Sequence, residues 1–79
     1  MSKSPLKNIS LKTFRKYLKW CGLKYIRTKG GHEIWSKEGM ERPVVFPTHE
    51  DPVYEDIAKN SLRNIGTNVN NFKKFLKSQ

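Results

Sequence analysis

The spacing of apolar residues changes twice along this chain, and each change marks a new element. Leu11, Phe14, Leu18 and Cys21 recur at intervals of three, four and three. That spacing predicts an amphipathic helix with these residues on one face and Lys12, Arg15, Lys16 and Lys19 largely on the other. Ser10 suits its N-cap, and Gly22 suits the position just past its end. From Leu23 to Lys29 the period falls to two among β-branched and aromatic residues, the pattern of a half-buried strand. Gly30-Gly31 is a turn signal, His32 to Ser36 reads as a second strand and Lys37 to Met40 as a hairpin loop. Arg42 to Phe46 reads as a third strand, in which Pro43 fits an end or an edge.

Past the polar connection Pro47-Thr48-His49-Glu50-Asp51-Pro52, the residues Ala58, Leu62, Ile65, Val69, Phe72 and Leu76 alternate intervals of four and three. They form one helical face, which Gly66-Thr67 and Asn70-Asn71 interrupt with residues that suit helix ends, so two short helices are expected. Residues 1–9 read as a flexible lead-in and residues 10–79 as a single domain. The predicted class is α+β, in the order α-β-β-β-α. A three-stranded antiparallel meander needs its apolar face covered by the helices on either side of it in sequence.

Seventy-nine residues are too few for both a deep substrate cavity and a second regulatory domain, which excludes a large metabolic enzyme. One cysteine, Cys21, excludes an internal disulfide framework and a cysteine-rich zinc site. No stretch approaches the roughly 20 apolar residues of a spanning helix, and Met1 to Lys7 has no apolar run of signal type. The expected setting is the reducing cytoplasm.

Charge is unevenly spread. The total is +9, from 16 Lys plus Arg against 7 Asp plus Glu. Nine of the bases precede Gly30 with no acid among them, and the remainder sums to zero. All the acids fall between Glu33 and Asp56, so basic ends flank an acidic middle. This asymmetry suits a polyanion such as nucleic acid, held by several phosphate contacts, although a merely solvated basic surface has the same composition.

No serine, cysteine or carboxylate sits in a recognisable nucleophile motif. His32 follows two glycines at a turn, with Lys29 just before it and Arg27 on the face of Lys29 by strand alternation. Glycine admits a bulky ligand to the backbone, an imidazole moves protons near neutral pH, and the neighbouring cations hold phosphate. A base that deprotonates a 2′-hydroxyl for attack on the adjacent phosphate needs neither a metal nor a protein nucleophile. No metal-ligand spacing is met by His32, His49 and the acids at 50, 51, 55 and 56, and no cofactor is expected. Trp20 and Trp35 have two readings, stacking on bases or packing in the core.

The run Gly22-Leu23-Lys24-Tyr25-Ile26-Arg27-Thr28-Lys29-Gly30-Gly31-His32-Glu33-Ile34-Trp35, then Val44-Val45-Phe46-Pro47-Thr48-His49 and Ser61-Leu62-Arg63-Asn64-Ile65, resembles the HicA family of toxins from bacterial toxin–antitoxin pairs. The likeness spans about residues 10–76. It implies a double-stranded-RNA-binding-like α-β-β-β-α fold and a metal-independent ribonuclease that cleaves mRNA and is silenced by a HicB-like antitoxin. Its most specific piece is an R-x-K-G-S-H motif whose His is catalytic, which by position is His32, with Pro47-Thr48-His49 matching a P-x-H in which His49 is an accessory candidate. Binding of the RNA backbone is expected from Arg27, Lys29, Gly30 and Gly31 with Lys12, Arg15, Lys16 and Lys19 of the first helix. The chain departs from the pattern at Gly31, where the family has Ser, in the acidic connection after His49, and in shorter C-terminal helices. Two rival readings are a non-catalytic RNA-binding module of the same fold and a domain whose basic face docks on an acidic protein.

Overall fold

Ser10 opens the first helix, α1 (Leu11–Trp20), by accepting the Thr13 N–H on its Oγ at 3.1 Å. A second cap arrives from far along the chain, where Asp51 Oδ1 accepts the Leu11 N–H at 3.1 Å. This is one reason for the acidic connection, since a carboxylate is favoured at a helix N-terminus. Leu11, Phe14, Tyr17 and Leu18 form the buried stripe of α1, with Cys21 half-buried at its end. The computed structural model describes residues 5–79.

Three strands follow, β1 (Lys24–Lys29), β2 (His32–Ser36) and β3 (Val44–Pro47), in an antiparallel sheet of order β1-β2-β3. Gly30 and Gly31 close the first hairpin with φ of 57° and 78°. Positive φ at both central residues is the signature of the two-residue turn whose twist matches the strands it joins. It fixes Lys29 opposite His32. The register then shifts between Tyr25 and Arg27, leaving Ile26 in a bulge. Arg27 stays opposite Ile34 on the outward face, while Tyr25 turns inward to pair with Trp35. The third strand begins two residues later than its sequence pattern predicts and ends one later, at Pro47. Proline is tolerated there because β3 is an edge strand.

The inward face of the sheet carries Glu33, Trp35, Val44 and Phe46, all buried. Phe14 of α1 meets Phe46 edge to face at 4.9 Å between ring centroids. The last helices are α2 (Glu55–Ile65) and α3 (Val69–Lys77). Glu55 and Asp56 lie in the first turn of α2, again with the helix dipole. Gly66, at φ 87°, closes α2, and Asn68 opens α3 by accepting the Asn71 N–H at 3.0 Å. Tyr17 packs edge to face on Phe72 at 4.9 Å and donates its hydroxyl proton to Asn71 Oδ1 at 2.7 Å, joining α1 to α3.

The α-β-β-β-α layout, with its last helical segment split in two, matches the sequence reading, and three details correct it. The helix break lies at Gly66–Asn68 alone, whereas Asn70 and Asn71 are inside α3. Because the break resets the helical phase, Phe75 is the buried residue (1 % exposed) and Leu76 faces out (39 %). The lead-in is packed over its described part: Leu6 and Ile9 belong to the core, and Ile9 O accepts the Val53 N–H at 2.8 Å. Residues 1–4 of that segment lie outside the described residues. Among the described residues, no helix is long and apolar enough to cross a membrane.

Candidate functional site

Hairpin register brings the basic residues of β1 onto the face that carries His32. Antiparallel partners share a face, so Lys29, His32 and Pro47 form one outward row and Arg27, Ile34 and Val45 the next. Helices cover the other side. Arg27, Lys29, Gly30, Gly31 and His32 are all exposed. His32 Nδ1 lies 3.1 Å from Gly30 O, within the turn. A Cβ built on either glycine would meet nothing within 4 Å, so the turn offers an open approach to the imidazole.

His49 is exposed one residue beyond the sheet. One hydrogen bond and one strand pairing hold it at the His32 end: the Thr48 N–H donates to Gly31 O at 2.9 Å, and Pro47 is the register partner of His32. The structure therefore gathers both histidines, Arg27, Lys29 and the Gly-Gly turn at one corner of the open sheet.

Behind that corner lies a residue the sequence reading left without a role. Glu33, beside His32 but turned inward, is 4 % exposed. Its carboxylate accepts bonds from three side chains: Arg15, Trp35 Nε1 at 2.9 Å and the Thr48 hydroxyl at 2.6 Å. Burial by itself raises a carboxyl pKa. Here the Arg15 guanidinium, the Thr48 hydroxyl and the Trp35 indole outweigh it and bring Glu33 down to about 2. Arg15, for its part, is held further in its charged form by the same bond. One carboxylate thus ties α1, β2 and the residue after β3 together. The signal was present in the sequence, because alternation from an outward His32 puts Glu33 on the face of Trp35, where a carboxylate requires donors.

The remaining expected contacts divide. Arg15, assigned with the phosphate-binding lysines, is instead committed to Glu33. Lys12, Lys16 and Lys19 are exposed on α1, on the helix layer rather than on the open sheet face, so the basic residues form two surfaces and not one. Trp35 is core at 3 % exposed, and Trp20 packs on Phe75 at 5.6 Å between centroids, which leaves neither on the sheet's outer face. Among the described residues, no three His, Cys, Asp or Glu side chains gather into a group that could hold a metal ion. The acids after His49 serve local roles, Asp51 as the cap described above and Glu55 as the i,i+4 partner of Lys59 at 3.5 Å. No protein-family model matches the chain, and neither does any curated protein or solved structure.

Proposed function

We propose that this protein is a metal-independent endoribonuclease of HicA type, a toxin that cleaves mRNA in the cytoplasm and is paired with a HicB-like antitoxin. The observation that carries this reading is the convergence of His32, Arg27 and Lys29 on one open face beside a turn without side chains. The R-T-K-G-G-H run in an α-β-β-β-α domain supports it.

In this mechanism His32 accepts the proton of a 2′-hydroxyl, and the 2′-oxygen attacks the adjacent phosphorus. The bond from phosphorus to the 5′-oxygen breaks, leaving a 2′,3′-cyclic phosphate, and His49 protonates the departing 5′-oxygen. Arg27 and Lys29 offset the charge that builds on the phosphate. An open surface suits a macromolecular substrate, which is gripped along its length and not enclosed.

Expression of the wild-type chain and of His32→Ala, with growth and mRNA length followed, tests the proposal. Arrest with shortened mRNA is expected in the wild type alone, with cleavage by the variant reduced at least about a hundredfold, the usual contribution of a positioned proton-transfer group. Equal cleavage by both chains refutes it. The second reading, a non-catalytic RNA-binding module, is favoured by Gly31, which supplies no hydroxyl where the HicA pattern has one. It predicts RNA that is bound and never shortened.

A further inference from the structure

The outward face of the sheet combines cations with exposed apolar side chains. Its rows are Lys29–His32–Pro47 and Arg27–Ile34–Val45, with Lys24 opposite Ser36 beyond them. The acid of β2, Glu33, points the other way, so the described strand residues on this face include three cations and no carboxylate. Beside the cations of β1 an apolar strip crosses β2 and β3, in which Ile34 is half-buried and Val45 44 % exposed, with Ile26 at 50 % in the bulge of β1. Arg27, Lys29, His32 and Val45 are exposed on this face, whereas α1 packs on the inner face through Phe14 against Phe46.

We infer that this face is the seat of a single RNA strand, which runs along β1 with its phosphates on Arg27 and Lys29 and its bases turned across the sheet onto Ile34 and Val45. The inference rests on the RNA-directed reading above and goes beyond it by choosing the sheet over the basic helix, and an unpaired strand over a duplex.

Three arguments converge. An apolar strip beside a row of cations fits a ligand with both phosphates and uncovered apolar faces, which unpaired nucleotides present and a duplex hides in its stack. Outward rows repeat every second residue, about 6.8 Å apart along a strand, so Arg27 and Lys29 can meet successive phosphates of an extended chain. Attack by a 2′-oxygen in line with the departing 5′-oxygen also demands backbone freedom that a stacked helix denies. The strand would then end its path at the row that holds His32. Lys12, Lys16 and Lys19, on the helix layer, would add long-range attraction and no register.

The test is titration of the His32→Ala chain with an unstructured RNA oligonucleotide of about ten nucleotides, with binding followed by anisotropy and mapped by amide NMR shifts. Shifts are expected at Arg27, Lys29, Ile34 and Val45. Val45→Asp should weaken binding about tenfold or more, whereas Asn70→Asp, an equal charge change on α3, should leave it unchanged. The double variant Arg27→Gln/Lys29→Gln, which disturbs no buried group, should lower the salt slope of log affinity by about two and keeps the test decisive if Val45→Asp fails to fold. Shifts confined to α1, tighter binding of the matching RNA duplex, or an unchanged salt slope in the double variant would overturn the inference. So would a poly-glutamate peptide that shifts these residues when RNA does not, which would identify the face as a protein-docking surface. RNA bound on this face by a wild-type chain that never cleaves it sinks the nuclease proposal and leaves the inference standing, whereas cleavage with shifts on α1 does the reverse.

Discussion

Glutamine in place of Glu33 is expected to cost the fold about 3 kcal/mol, because this buried carboxylate accepts several hydrogen bonds and each donor left unpaired costs about 1–3 kcal/mol. The carboxylate accepts from the Arg15 guanidinium, the Trp35 indole and the Thr48 hydroxyl. An amide keeps one acceptor oxygen, sets an NH2 against the donors and strips Arg15 of its counter-charge. Urea unfolding of both chains at neutral pH measures the difference, and a change below about 1 kcal/mol would contradict this account.

The same group sets an acid dependence whose direction is fixed. Its folded pKa, about 2, lies below the ordinary 4.5, so its contribution is complete above the unfolded value and drains away as pH falls from 4.5 towards 2. A separation of this size corresponds to about 3 kcal/mol. Wild-type stability should fall through that window, and in Glu33→Gln this part of the slope should vanish. Identical acid profiles for the two chains would place the lability elsewhere.

Replacing both Leu6 and Ile9 by alanine should remove about 5 kcal/mol, since each buried aliphatic deletion costs about 2–5 kcal/mol and neighbouring losses overlap. Leu6 is 0 % and Ile9 5 % exposed. For a chain of 79 residues whose whole stability should lie near 4–12 kcal/mol, the double variant would stand at the edge of unfolding. Loss of cooperative thermal melting, or a much lower urea midpoint, is the expected result. A midpoint equal to that of wild type would show that the segment before α1 adds nothing to the core.

Local rules carried most of the architecture. The three-four-three spacing of Leu11, Phe14, Leu18 and Cys21 made α1 legible, and Gly30-Gly31 fixed both the hairpin and the face shared by Arg27, Lys29 and His32. Where the reading failed, the deciding contact was distant in sequence or the phase changed. Asp51 caps α1 across 40 residues and Arg15 reaches Glu33 across 18, and no periodicity registers such pairs. The bulge at Ile26 turned Tyr25 inward against simple alternation, and the break at Gly66 rotated α3 so that Phe75 took the place expected of Leu76. Leu6 and Ile9 are too few and too widely spaced to declare an element, although Val53 waits across the fold to bond Ile9.

The left-handed Gly30-Gly31 turn also bears on the entropy of binding. Because the turn has only two residues, His32 is the first residue of a paired strand and not a rider on a loop. Its backbone is ordered before any ligand arrives, so only the ring's two side-chain torsions remain to be set. Loops that carry such a group must be stilled when they engage, at roughly 1–2 kcal/mol per residue. At this corner that ordering is already complete when the chain folds.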